Sequence, residues 1–249
     1  MIIFPMAGLS SRFTKAGYEQ PKWMLPLADR PLLDWSLLSF ASFFDQEKFL
    51  IVFLDRPGVG AFVERRVAEL KIANPVLVPL SAPTAGQAET VHLGLNRAGL
   101  PDSEDVTIFN IDTIRPGYAR SPILDSSDGW LECFKGDGDH WSFVRESSGN
   151  PHRADEVVEK KRISDNCCTG IYWFKSARDF EAAYQAEAAN PKASELFVAP
   201  LYQRLIEDNK RVSFDVIADK DIFFSGTPAE YEHAKTQQNQ LRESFKEYL

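Results

Sequence analysis

Short runs of mostly apolar residues alternate with helical patterns along the first half of the chain. The apolar runs cover 1–6, 49–54, 76–80 and 106–111. Helical patterns lie between them over 31–44, 60–70 and 87–98. Strands that are apolar on both faces are typical of a parallel sheet with helices on each side. The alternation therefore predicts an α/β fold with a doubly wound, mostly parallel central sheet flanked by helices.

The second half of the chain has shorter apolar stretches separated by polar turns. Strands are predicted over 130–134, 141–145, 157–158, 170–174, 212–216 and 222–224, and helices over 177–189, 197–208 and 228–246. Closely spaced strands joined by turns such as Asp137-Gly138-Asp139 favour antiparallel additions to the sheet. No internal repeat, low-complexity segment or linker divides the sequence, so residues 1–249 are predicted to form a single domain.

Composition excludes several classes of protein. With 36 Asp and Glu against 28 Lys and Arg, the formal net charge of −8 argues against a dedicated nucleic-acid binder. No apolar run is long enough to span a membrane, and the first residues lack the basic leader of a signal peptide, so a cytoplasmic protein is expected. Three cysteines without a CxxC pair and four histidines without ligand spacing make a disulfide framework or a zinc site unexpected.

The loop after the first predicted strand is a candidate phosphate site. It reads Ala7-Gly8-Leu9-Ser10-Ser11-Arg12, and Lys22 follows in a proline-flanked segment. Small residues let backbone N–H groups approach phosphate oxygens, and Arg and Lys supply positive charge. The loop is neither a P-loop nor a GxGxxG fingerprint, because the residues that define those motifs are absent. An ordinary turn at 8–11 and a surface lysine at position 22 are the structural alternatives.

Two further polar clusters follow strands of the same predicted sheet. One covers residues 84–90, after the third apolar run, and the other is Asp112, after the fourth. Ligands of open α/β sheets bind beyond the carboxyl ends of the strands. The sequence thus predicts one site at which the first loop, residues 84–90 and Asp112 converge.

The N-terminal segments resemble the signature of the sugar-phosphate nucleotidylyltransferases, the pyrophosphorylase-type enzymes that make nucleotide sugars. The matching residues are Ala7-Gly8-x-Ser10-Ser11-Arg12, followed by Pro21-Lys22 and Leu25-Pro26. Ser10 stands where the family usually has a second glycine, which indicates a divergent, capsule-type branch. The resemblance implies a Rossmann-like nucleotide-diphospho-sugar transferase fold, with antiparallel additions to the parallel sheet in the second half.

Motifs further along the chain are similar to the substrate-binding segments of this family. They are Gly86-Gln87-Ala88-Glu89-Thr90 for the base, Asn110-Ile111-Asp112-Thr113 for the metal, and Val157-Val158-Glu159-Lys160 for the acceptor, with Lys161 in place of the usual proline. Thr169-Gly170-Ile171-Tyr172 resembles the strand that follows, and Gly226-Thr227-Pro228 resembles the start of the C-terminal helix. The resemblance divides the chain into a nucleotide-binding half over about 1–115 and an acceptor-binding half over about 116–249.

The resemblance also implies a role for each matching residue. The catalytic residues would be Arg12, Lys22 and Asp112, and the acceptor-binding residues Glu159, Lys160 and Gly170. The nucleotide-binding residues would be Ala7, Gly8, Leu9, Ser10, Ser11, Gln87 and Asn110. Mg²⁺ would be the cofactor, with Asp112 as its protein ligand. Phe224 stands where the family has a second metal-binding Asp, so substrate phosphates and water are expected to complete the coordination.

The implied reaction joins a nucleoside monophosphate, from a triphosphate, to a phosphorylated acceptor and releases pyrophosphate. The partners are therefore two small molecules, with no nucleic acid or membrane, and a homo-oligomer is compatible with the sequence. The base stays open among cytidine, uridine, thymidine and guanosine. The acceptor is either a sugar phosphate for surface polysaccharide or a polyol, choline-like or amino-acid-derived phosphate. A glycosyltransferase, with Asn110-x-Asp112 as a partial DxD motif, and a non-catalytic regulatory homologue are the other two interpretations.

Overall fold

The computed structural model describes residues 1–99 and 101–249, in which a nine-stranded sheet is covered by helices. The strands are β1 (Ile2–Met6), β2 (Pro26–Leu27), β3 (Arg30–Pro31), β4 (Lys48–Leu54), β5 (Asn74–Leu80), β6 (Val106–Phe109), β7 (Thr113–Ile114), β8 (Gly129–Lys135), β9 (Ser142–Glu146), β10 (Ala154–Glu159), β11 (Asn166–Phe174), β12 (Val212–Ile217) and β13 (Phe223–Phe224). The helices are α1 (Ser11–Lys15), α2 (Leu32–Leu38), α3 (Val59–Glu69), α4 (Gln87–Ala98), α5 (Ala177–Ala189), α6 (Ala199–Glu207), α7 (Pro228–Thr236) and α8 (Gln238–Ser244).

The strands of the first half form the parallel part of the sheet. Strand β1 is central and pairs in parallel with β4 and β6, and β5 extends this parallel part on the far side of β4. Strand β11 joins β6 in antiparallel orientation and connects the sheet to β8 and β9, while β12 runs parallel to β8. The predicted α/β class, with antiparallel additions from the second half, is confirmed.

Both faces of the central strands are buried because both carry apolar side chains. On one face, Phe4 of β1 lies with its ring 6.1 Å from Phe49 and 5.8 Å from Phe109. On the other face, Ile3 packs in a second core cluster with Leu50 of β4. Burial on two sides fixes the carboxyl end of β1. The loop that follows Met6 therefore starts from a rigid position.

Three expectations about element boundaries are wrong. The helix predicted over 31–44 ends at Leu38, and the next residue, Ser39, accepts a hydrogen bond at its hydroxyl from the Arg115 backbone N–H at 2.8 Å. The helix predicted over 228–246 is two helices, α7 and α8, which meet at Gln237 with φ of −101°. The segment predicted to be an irregular loop contains α1, whose Phe13 is buried against the core. None of the described helices is long and apolar enough to cross a membrane.

A buried ion pair joins β8 to the segment after β7. Arg115 Nε lies 3.1 Å from Glu132 Oε1, and Glu132 is only 3% exposed. Burial raises the pKa of the Glu132 carboxyl above its ordinary value, and Arg115 partly opposes this rise. Replacing Arg115 with alanine is expected to lower the free energy of unfolding by about 3–5 kcal/mol, because the carboxylate would stay buried without its counter-charge. Urea denaturation near neutral pH measures this loss.

The exposed ion pair of Arg145 and Asp155, at 2.8 Å, provides a matched control. Arg145→Ala is expected to cost less than about 1 kcal/mol. The loss of unfolding free energy in Arg115→Ala should also become smaller as the pH falls. Because the pKa of Glu132 is raised in the folded state, the folded protein takes up a proton there before the unfolded protein does, and protonation removes the unpaired buried charge. Equal losses in the two variants, or a loss in Arg115→Ala that does not change with pH, would contradict this assignment.

Candidate active site

A single open cavity of about 570 Å³ lies beyond the carboxyl ends of β1 and β6. Its walls come from the loop after β1, the start of α4 and the segment between β6 and β7, together with the start of β9, the end of β10 and the middle of β11. The polar clusters that follow the parallel strands therefore meet at one edge of the sheet, where ligands bind in open α/β folds.

The loop after β1 is connected to the lysine segment by a side-chain hydrogen bond. Ser10 adopts the left-handed conformation with φ of 52°, and its carbonyl accepts the N–H groups of Phe13 and Thr14 to begin α1. Its hydroxyl accepts a hydrogen bond from the Lys22 backbone N–H at 3.3 Å. At Gly8 an added Cβ would meet no atom within 4 Å, so the backbone there borders open cavity.

Lys22 and Asp112 form an ion pair inside the cavity. The ammonium of Lys22 donates to Asp112 Oδ1. The Lys22 side chain is 16% exposed and the Asp112 side chain 39% exposed, so the pair is open to a ligand on the carboxylate side. Trp23, which is buried and packs against Phe62, fixes the turn that carries Lys22. Arg12 is exposed on α1 and lines the same cavity.

The C-terminal segment fixes the position of Asp112. Strand β6 ends at Phe109, two residues before the predicted end, and Asp112 lies in the turn to β7. Its carbonyl accepts the N–H and the hydroxyl of Ser225 at 2.7 and 3.1 Å. A Cβ at Gly226 would lie 3.1 Å from Asp112 Oδ2, so glycine lets this segment pass close to the carboxylate.

The side of the cavity that the sequence predicts to bind the nucleotide is built around Asn110. The Gln87 amide at the start of α4 donates to Asn110 Oδ1, and the Asn110 N–H donates to the Gly170 carbonyl at 2.9 Å. Gly170 has φ of 97°, and a Cβ there would lie 2.7 Å from Asn110 Cβ. A side chain at position 170 would thus displace Asn110 and, through it, Gln87.

The turn before α4 is hydrogen-bonded to the segment before α6. Leu196 donates its N–H to the Ala85 carbonyl at 3.0 Å and accepts the Ala88 N–H at 2.8 Å. A Cβ at Gly86 would lie 2.5 Å from the Leu196 backbone, so only glycine fits. The Ala88 N–H at the helix start is therefore already bonded to protein.

The side of the cavity that the sequence predicts to bind the acceptor, which we call the acceptor side, combines carboxylates, an ammonium and aromatic rings. Ser142 donates its hydroxyl to Glu159, and the Lys160 ammonium lies 3.6 Å from Glu159 Oε1. Burial raises the pKa of the Glu159 carboxyl above its ordinary value. The same ammonium lies 4.2 Å from the centre of the Phe197 ring, and Tyr172 lines the cavity beneath. The arrangement places a positive charge where an acceptor phosphate could bind.

Twelve of the thirteen residues predicted for the site line this one cavity. They are Gly8, Leu9, Ser10, Ser11, Arg12, Lys22, Gln87, Asn110, Asp112, Glu159, Lys160 and Gly170. Ala7 does not line it, because its side chain faces the core and is 1% exposed. The sequence predictions missed Trp141, Glu195 and Phe197. Trp141 directly follows a polar turn, but nothing in the sequence signals the other two, which lie in an irregular segment.

Asp112 is compatible with a metal ion that arrives with substrate. Among residues 1–99 and 101–249, no group of three or more His, Cys, Asp or Glu side chains could hold a metal ion. Phe224 pairs with Thr113 beside Asp112 and offers no ligand atom. Mg²⁺ commonly takes one or two carboxylates together with substrate phosphates and water. The carboxylate of Asp112 fits that mode of binding, and it does not fit a metal ion that is held by protein side chains alone.

Solved structures similar to this chain are nucleotidyltransferases. The nucleoside-diphosphate-sugar pyrophosphorylase from Vibrio cholerae RC9 is 39% identical with a TM-score of 0.91, over 95% of this chain and 100% of that chain. The chain belongs to the nucleoside-diphosphate-sugar pyrophosphorylase family. The family predicted from the motifs and the enzyme class, nucleotidyltransferase, are thereby confirmed. No protein-family model and no curated protein sequence matches the chain.

More distant members share the fold of this pyrophosphorylase-family chain. The apo UDP-glucose pyrophosphorylase is 16% identical with a TM-score of 0.74, over 97% of this chain and 98% of that chain. The inositol-1-phosphate CTP transferase from T. maritima is 14% identical with a TM-score of 0.74, over 97% of this chain and 95% of that chain. At such identities the likeness shows the fold alone.

Proposed function

We propose that this chain is a Mg²⁺-dependent nucleotidyltransferase that joins a nucleoside monophosphate to a phosphorylated acceptor. Pyrophosphate leaves, and the product serves surface polysaccharide synthesis. The acceptor is a sugar phosphate or a small non-sugar phosphate. The observation that carries this proposal is the Lys22–Asp112 pair, which lies in the same cavity as Arg12 on one side and Lys160 on the other.

The reaction forms one P–O bond and breaks another. An oxygen of the acceptor phosphate attacks the α-phosphorus of the triphosphate, and the bond between the α-phosphorus and the bridging oxygen to the β-phosphorus breaks. The electron pair leaves with pyrophosphate, so no protein nucleophile is needed. Bringing two anions together and stabilising the charge that develops on the leaving group are the main physical problems.

The cationic side chains address those problems. Lys22 binds the α-phosphate and neutralises its growing charge, and Arg12 binds the departing pyrophosphate. Lys160 orients the acceptor phosphate for attack, held over Phe197 and beside Glu159. Asp112 is the residue that would hold Mg²⁺, which supplies positive charge to the triphosphate oxygens when bound.

The glycosyltransferase alternative gains no support from the geometry. Its DxD motif would need Asn110 and Asp112 to act together on the metal. The amide oxygen of Asn110 already accepts the Gln87 side chain. A non-catalytic regulatory homologue is likewise disfavoured, since Lys22, Asp112 and Arg12 are all present at the cavity.

Pyrophosphate release tests the proposed function. The purified protein is incubated with Mg²⁺, each of the four triphosphates in turn, and a panel of phosphorylated sugars, polyols and amines. Release that requires the triphosphate, the acceptor and Mg²⁺ together is expected for one combination. Release of a free nucleoside diphosphate from a nucleotide sugar, with no pyrophosphate from any triphosphate, would favour the glycosyltransferase instead.

Gln87 is expected to contribute to the choice of base. Gln87→Ala removes the side-chain amide that contacts Asn110. The preference for the best triphosphate should fall by about tenfold, which is the effect of losing one hydrogen bond to the base. Values of kcat/KM for the four triphosphates measure that preference. An unchanged order and spread of the four values would show that Gln87 does not read the base.

A further inference from the structure

Two aromatic rings form part of the cavity on its acceptor side. Trp141 and Phe224 have ring centres 4.8 Å apart at 49°, and both line the cavity while only partly buried. We call these two rings the aromatic wall. Phe134 packs behind both of them, at 5.1 Å from each, and so holds the wall in place.

The aromatic wall offers no hydrogen bond to a hydroxyl group. Phe224 has no polar side-chain atom, and the Trp141 indole N–H already donates to the Asp137 carbonyl at 3.0 Å. A polyhydroxylated acceptor that contacted this wall would leave its hydroxyl groups without partners there. The wall therefore favours a group that is recognised by an aromatic face.

The rings of the aromatic wall carry no cation of the chain itself. Among the described residues, the Lys and Arg side chains that lie over aromatic rings use Phe62, Phe43, Phe197, Phe143 and Tyr231. Phe197, on the same cavity, is covered by the Lys160 ammonium at 4.2 Å. The His140 ring covers part of Trp141, with ring centres 4.5 Å apart, and no Lys or Arg side chain of the described residues lies over Trp141 or Phe224. The half-buried parts of the two rings that border the cavity can therefore receive a cation that comes with a ligand.

The charge of the acceptor side is negative. Of the side chains that the second half contributes to the cavity, Glu159, Glu195 and Glu230 are acidic and Lys160 is the one Lys or Arg in the described residues. Glu230 accepts the Thr227 N–H at 2.8 Å as part of a helix cap, and Glu159 accepts the Ser142 hydroxyl and pairs with Lys160. Lys160 thus offsets one carboxylate, and Glu195 keeps the charge of the acceptor side negative. An acceptor with only negative charge would be repelled, whereas one that also carries an ammonium would be balanced.

We propose that the acceptor is a small phosphorylated amine, whose ammonium binds between the aromatic wall and the carboxylates of Glu159 and Glu195. This inference rests on the proposed nucleotidyltransferase function and narrows its acceptor. The acceptor phosphate oxygen forms the new bond to the α-phosphorus and pyrophosphate leaves, while the ammonium takes no part in bond making. Trp141 is a specificity-determining residue for the amine group of the acceptor, which takes no part in the reaction.

Acceptors of equal shape and different charge test this proposal. Phosphocholine is compared with 3,3-dimethylbutyl phosphate, its uncharged carbon isostere, and phosphoethanolamine with glucose 1-phosphate, under the conditions that give pyrophosphate. The wild-type protein is expected to use phosphocholine or phosphoethanolamine with a kcat/KM at least about tenfold above that for the uncharged compounds. Efficient use of glucose 1-phosphate with equal or poorer use of the amines overturns the amine proposal and leaves the nucleotidyltransferase proposal intact. No pyrophosphate from any acceptor overturns both.

Variants of Trp141 separate charge recognition from packing. Trp141→Leu keeps an apolar side chain but removes the aromatic face, whereas Trp141→Phe keeps a face. The KM for the charged acceptor is expected to rise about tenfold in Trp141→Leu, with the charged-to-uncharged preference lost, and to recover in Trp141→Phe. The KM for the triphosphate should not change in either variant. An equal rise in KM for phosphocholine and for 3,3-dimethylbutyl phosphate would show a packing role and overturn the proposal.

Discussion

Replacing Lys22 with alanine is expected to lower kcat by roughly 10²–10³-fold, the usual cost of removing one group that stabilises transition-state charge. Lys22 is half-enclosed by the cavity and pairs with Asp112, so water cannot replace its charge at the same position. The effect should fall mainly on kcat, because Arg12 and the loop at 8–11 would still bind the triphosphate. Steady-state kinetics with saturating Mg²⁺ measure the change.

Lys15→Ala provides the matched control for Lys22→Ala. Lys15 is an exposed lysine on the neighbouring helix α1, and it does not line the cavity. It also contributes to the positive charge near the N-terminus, so the control separates general attraction from direct contact. Turnover close to wild type is expected in Lys15→Ala. Near-normal turnover in Lys22→Ala as well would remove Lys22 from the mechanism.

Asp112→Asn is expected to lower Mg²⁺-dependent turnover by about 10³-fold or more, since the carboxylate that we propose to hold the metal would lose its charge. Asparagine keeps the shape of the side chain and the backbone bonds to Ser225, so the fold should be retained. The Mg²⁺ concentration for half-maximal rate should rise, which kinetics at a range of Mg²⁺ concentrations would show. Thermal unfolding monitors the fold in parallel.

Asp221→Asn distinguishes a metal ligand from a nearby acid. Asp221 lies close along the chain to Phe224, where the family resemblance calls for a second metal-binding Asp, but it does not line the cavity. No change in Mg²⁺ dependence is expected in this variant. If Asp112→Asn and Asp221→Asn had equal effects, or if Asp112→Asn kept its metal dependence, the assignment of Asp112 would be wrong.

The two side chains of the ion pair should also act as a unit. In the double variant with Lys22→Ala and Asp112→Asn, the fold-loss of kcat/KM is expected to be clearly smaller than the product of the two single fold-losses. Each single change already disrupts the same ion pair. A double-mutant cycle on kcat/KM measures this coupling. Fully multiplicative losses would show that the two residues act independently.

The parallel part of the fold could be predicted because its signal is local. Each central strand is a short run that is apolar on both faces, and helix α4 begins and ends where the sequence patterns place it, at Gln87 and Ala98. The breaks at Ser39 and Gln237 could not be predicted. At the first break Ser39 contacts Arg115, far along the chain, and periodicity carries no information about such a tertiary partner.

The candidate site shows the same division between local and long-range information. The loop after β1 and Lys22 form a compact motif, and the motif was enough to predict the family. Phe197 and Glu195 lie at the cavity beside Leu196, whose backbone is hydrogen-bonded to the turn at Gly86, a contact between segments that are far apart in the chain. Because that contact is tertiary, the aromatic and acidic character of the acceptor side became visible only in the structure.

The fate of a labelled triphosphate tests the central claim most directly. The protein is incubated with Mg²⁺, acceptor, and triphosphate labelled at either the α- or the γ-phosphate. Nucleotidyl transfer predicts that the α-label appears in a product that also contains the acceptor, and that the γ-label appears in pyrophosphate. Both signals should form roughly 10²–10³-fold more slowly in Lys22→Ala. A γ-label found on the acceptor, or an α-label released as free nucleotide without an acceptor product, would contradict the account.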